Sequence, residues 1–86
     1  MTTRDDVEPI FQKALQLIES KEDAYGDAWR ACGKGVCVPE VFRKANYIRV
    51  QWEKNRYTTE KFLEDLLDLM AWASFSYYHI EKETKE

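Results

Sequence analysis

A single histidine, His79, and two cysteines, Cys32 and Cys37, supply all the imidazole and thiol in this chain of 86 residues. A structural zinc site normally takes four such ligands, and the spacing here matches no zinc signature, so zinc is disfavoured. One histidine near the C-terminal end offers no Ser–His or Cys–His pairing for nucleophilic chemistry, and His79 reads as a surface or interface residue. The cysteines flank "GKGV" and read as free thiols in a reducing compartment, with a local disulfide as the alternative. Long apolar runs are missing too. The most apolar window, residues 62–75, is broken by Glu64, Asp65 and Asp68, so no segment suits a bilayer span of about 18 residues or more. The opening "MTTRDDVEPIF" is charged where a signal peptide would be apolar. A cytoplasmic protein with no membrane partner is expected.

Nor is there an excess of positive charge. Thirteen basic and sixteen acidic residues give a formal charge of −3, which provides no overall pull toward duplex nucleic acid. What the chain does have is apolar and aromatic content, at 44% and 14%. That is enough to fold, in one domain with a modest core. Domains this small commonly gain burial by association, so a homo-oligomer is expected.

Helical periodicity appears three times, and strand alternation nowhere. A first helix is expected from Asp5 or Asp6, capped by an Asp, with Val7, Ile10, Phe11, Ala14, Leu17 and Ile18 as its stripe, fading near residues 20–22. "AYGDAWRAC" reads as a short helix or turn, and "GKGVCVP" as a loop by its Gly and Pro punctuation. Pro39 suits the first turn of a second helix over 39–54, with Val41, Phe42, Ala45, Ile48 and Trp52 apolar and Arg43, Lys44 and Arg49 basic. Thr58 or Thr59 caps a third helix over 59–83, and the charged tail from about residue 81 is expected to fray. The fold class is all-α: a small bundle of three main helices plus a short helix or turn, completed by oligomerisation.

On the third helix, Leu63, Leu66, Leu67, Met70, Ser74 and Tyr77 share one face. Glu64, Asp65, Asp68, Trp72, Phe75 and His79 gather on the other. Glu64 and Asp68, and Asp65 and Asp68, are neighbours on that face and repel one another. A divalent cation such as Mg²⁺, which takes carboxylate and phosphate oxygens, would relieve the repulsion. A solvated acidic face near a helix N-terminus, partly neutralised by Lys61, is the more ordinary explanation. Trp72 and Phe75 continue the stripe and should meet another helix, another subunit or a ligand.

Three stretches, taken in order, sharpen these options. "EDAYGDAWR" resembles the "DYG-x-[SA]-W" signature of the nucleotide modification-associated domain of phage and bacterial proteins. "EDLLDLMAWASF" resembles that family's "D-x-L-x-D-L-x-x-Y-A" helix, and "FRKANYIRV" between them resembles its basic segment. The resemblance spans residues 18–75 in the family's order. That family is related to the MazG-type nucleotide pyrophosphatases, all-α enzymes that hold Mg²⁺ on an "EExxE" helix and a later "ExxD" helix. Asp65-Leu66-Leu67-Asp68 stands in the place of "ExxD", whereas no "EExxE" exists upstream.

The resemblance implies binding of a nucleotide or nucleoside phosphate, with Mg²⁺-dependent triphosphate hydrolysis as its enzymatic extension. Asp65 and Asp68 would be the catalytic carboxylates, and Asp23, Asp27 and Glu64 would join them around the metal. Arg30, Lys34, Lys44 and Arg49 would contact phosphates, and Tyr25 and Trp29 would stack on a base. By residue type alone, the two rings read more often as core anchors tying down a loop. The alternative function is a non-enzymatic protein-interaction or oligomeric adaptor protein that uses the acidic-aromatic helix face.

Overall fold

The computed structural model describes residues 1–85, with side chains through residue 83. Four helices occupy them, and no strand: α1 (Thr3–Tyr25), α2 (Ala28–Cys32), α3 (Lys34–Glu53) and α4 (Thr59–Lys85). The all-α expectation holds, and the departures from it are local. Helix α1 starts earlier than its acidic residues suggest because Thr2 is the N-cap. The Thr2 hydroxyl accepts from the Asp5 N–H, and the Asp5 carboxylate accepts from the Thr2 N–H, closing a capping box.

The expected loop at "GKGVCVP" is helix. Gly33 caps α3, with its carbonyl accepting from the N–H groups of Val36 and Cys37, so Pro39 lies inside the helix. Proline there removes one backbone bond, as Pro9 does in α1, and both helices continue through it. The turns are made instead at Gly26 and Gly33, whose φ values of 77° and 70° with extended ψ suit glycine alone. No atom crowds a Cβ built at Gly33, so any penalty of Gly33→Ala is backbone strain. We expect that substitution to cost about 1–3 kcal/mol in a urea melt.

Helices α3 and α4 form an antiparallel hairpin pinned at both ends. At the turn, Tyr57 and Phe62 pack at 4.7 Å between ring centroids, with Trp52 stacked on Tyr57 at 5.7 Å. The Thr58 hydroxyl accepts from the Lys61 N–H and starts α4 as expected. At the open end, the Lys34 ammonium holds the Glu83 carboxylate at 2.6 Å. The tail is thus helical through Lys85, and Glu86 lies outside the described residues.

Helix α1 packs on α4 as well, and Ala14 and Ala71 are buried beside the grooves between the two helices. Burial is otherwise sparse. The only other buried residues among those described are Cys37, Asp65 and Ser76. The radius of gyration is 14.3 Å, against about 12 Å for a compact chain of this length.

Asp65, Asp68 and Phe75 of α4 meet the other helices, with Asp65 2% exposed, whereas Glu64 on the edge of the same face is exposed. The leucine face turns out, with Leu63 56% and Tyr77 68% exposed.

Candidate functional site

Two neighbouring features of α4 gather most of the singled-out residues. The first is a charge cluster between α1, α3 and α4. Asp68 takes the Lys21 ammonium of α1 at 2.8 Å and the Lys44 ammonium of α3 at 3.5 Å. Lys44, only 15% exposed, also lies 3.9 Å from Asp65, whose Oδ1 has Lys61 at 3.2 Å. The Asp65 carboxylate pushes the Lys61 ammonium above the usual lysine range, chiefly through their close contact. Asp65 Oδ1, sealed from water, is held by charge attraction, with no hydrogen bond of ordinary angle.

Three ammonium groups therefore surround two carboxylates. The like-charge repulsion on α4 is relieved from within the protein, by cations drawn from all three long helices. Lys21 escaped the sequence reading. It lies three and four residues past Ile18 and Leu17, and that spacing was the available signal for an inward position.

The second feature is a cleft of about 210 Å³ between α1, α2 and α4. Trp29 and Trp72 line it, Tyr25 and Lys21 stand on its α1 side, and Asp68 connects it to the charge cluster. Trp29 is the hub of its wall. The indole stacks on Phe75 at 4.3 Å between centroids and 9° between planes, with Tyr78 and His79 edge-on. The Arg30 guanidinium lies 4.7 Å over its other face. The Trp29 carbonyl lies 3.0 Å from His79 Nε2 and 3.8 Å from the Cys37 thiol, which places His79 at an internal contact.

Trp29 thus acts as an anchor, whereas Tyr25, 82% exposed, is free to meet a ligand. The indole Nε1–H of Trp29 is buried without a hydrogen-bond partner. Cys32 and Cys37 are both free, and burial pushes the Cys37 thiol's pKa up, so it is the less reactive of the two.

The other expected site residues lie elsewhere. Asp27 pairs with Arg30 at 3.0 Å, Lys34 with Glu83, and Arg49 with Glu53 at 2.9 Å. Asp23 and Glu64 are exposed, and Asp23 and Asp27 do not line the cleft. Among the described residues, no group of three or more His, Cys, Asp or Glu side chains is placed to hold a metal ion. Asp65 and Asp68 face the ammonium groups of Lys21, Lys44 and Lys61. Comparison with known proteins finds no matching family model, curated protein or solved structure.

Proposed function

We propose that the chain binds a nucleotide or nucleoside phosphate in the α1–α2–α4 cleft, the base against Tyr25 and the phosphates toward Lys21. The observation that carries this reading is the exposed Tyr25 ring beside an aromatic-lined cleft with an ammonium on its edge. Aromatic faces accept any base, and an ammonium is a suitable point charge for phosphate oxygens. At about 210 Å³ the cleft takes the planar part of such a ligand and leaves its charged part at the rim. The order of "YGDAW", the basic segment and "DLLD" supports the same ligand class.

The proposal is one of binding. The carboxylates that hydrolysis would need already sit among Lys21, Lys44 and Lys61, and Mg²⁺ would enter with the ligand's phosphates.

Titration with a deoxynucleoside triphosphate, with Mg²⁺ and with chelator, tests it by melting shift and tryptophan fluorescence. Saturable binding is expected, weakened at least about fivefold by Tyr25→Ala, since stacking contributes roughly 1–3 kcal/mol. A melting shift below about one degree at millimolar ligand would sink the proposal. Phosphate analysis of the same mixtures reports any turnover separately.

A further inference from the structure

We infer that the outer face of α4 is a self-association seam, on which α4 of a second copy packs antiparallel. The face carries Leu63, Leu66, Met70, Ala73, Tyr77 and Ile80, spaced alternately three and four residues apart. That is a heptad seam sustained over about 26 Å of helix. Leu63, Leu66, Tyr77 and Ile80 are each more than a third exposed, although a seam of this kind is normally buried against another helix. The inner side of α4 is already committed to α1, α2 and α3 through Asp65, Asp68 and Phe75, so a rotation of the helix would expose the charge cluster.

The area fits a second copy. The accessible surface is 6666 Å², whereas a folded monomer of 10.2 kDa exposes about 5,300 Å². The excess of about 1,300 Å² exceeds the roughly 800 Å² per partner of a stable interface.

The residues are also self-complementary in one direction. A two-fold axis between Met70 and Ala73 sets Leu63 against Ile80, Leu66 against Tyr77 and Met70 against Ala73, so large and small residues share the central layer. A groove of about 250 Å³ between α4 and Phe11, Leu15 and Ile18 of α1 extends the apolar surface beside Met70. At the rims Glu60 would approach Glu81 of the second copy. Those like charges are exposed, so added salt should not weaken the association.

The inference is independent of nucleotide binding, and its test uses the whole chain without ligand. Sedimentation equilibrium should give twice 10.2 kDa at micromolar concentration. Leu66→Glu, at an exposed position, should keep the helical circular dichroism and weaken association at least about a hundredfold, because both copies of the charge are buried. In a Cys32→Ser background, Met70→Cys mixed with Ala73→Cys should link through a short bis-maleimide, and Leu63→Cys should not link to itself. A monomer throughout, a dimer unchanged by both Leu66→Glu and Leu63→Glu, or self-linking of Leu63→Cys would each overturn the inference.

Discussion

Replacing Lys44 with methionine is expected to destabilise the protein by about 3 kcal/mol, because it removes the cation shared by two inward carboxylates. Methionine keeps most of the lysine stem, so the loss is electrostatic rather than a cavity. Lys44 lies 3.9 Å from Asp65 and 3.5 Å from Asp68, and all three side chains are largely withdrawn from water. Without it, Asp65 keeps only Lys61 and Asp68 only Lys21, both at exposed ends of their side chains.

In a chain this short, 3 kcal/mol lowers Tm by roughly 12 °C or more. Lys61→Met removes a cation that is more than half exposed and should cost much less than Lys44→Met. The contrast matters more than either loss alone. Equal, small losses in chemical denaturation of the two variants would show that the acids are not inside. Adding Asp68→Asn to Lys44→Met should recover part of the loss, because one of the two stranded charges is then gone.

Trp29→Ala should cost a similar amount, about 3 kcal/mol, and abolish most of the near-ultraviolet dichroism of the aromatic cluster. Helix α2 is five residues long and has no fully buried residue, so it cannot hold itself in place. Its position depends on the stacking of Trp29 on Phe75 and on the two contacts to the Trp29 carbonyl. Trp29→Phe is expected to cost less than half as much. Phenylalanine keeps a ring for Phe75, and it deletes an indole N–H that is buried without a partner. Urea melts of the two variants check this. A loss from Trp29→Phe as large as from Trp29→Ala would show that the N–H, not the ring, holds α2.

The sequence carried the helices because periodicity is local. It predicted α4 from Thr59 and the apolar stripes of α1 and α3. It misread "GKGVCVP" because Gly and Pro usually punctuate, yet here Gly33 is an N-cap and the chain absorbs Pro39 inside α3. The candidate site was harder to read. Periodicity divides α4 into two faces without saying which one meets its neighbours. Asp65 and Asp68 turn inward because Lys21, Lys44 and Lys61 converge on them, and two of those three lie 21 or more residues away in sequence. Spacing along one helix cannot report cations supplied by two others. Trp29 and Tyr25, equivalent in the sequence as paired rings, separate in the structure into an anchor and an exposed ring for the same reason.

Helix α4 turns Asp65 and Asp68 inward and Leu63 and Leu66 outward, and two adjacent residues on it report that orientation. Carbodiimide coupling of glycine ethyl ester to the native protein, read by peptide mass spectrometry, reports carboxyl accessibility residue by residue. Glu64 is exposed and Asp65, its neighbour in the same peptide, is buried. Rapid labelling of Glu64 is expected, with Asp65 protected until the protein unfolds. Comparable labelling of both in the folded state would contradict that orientation.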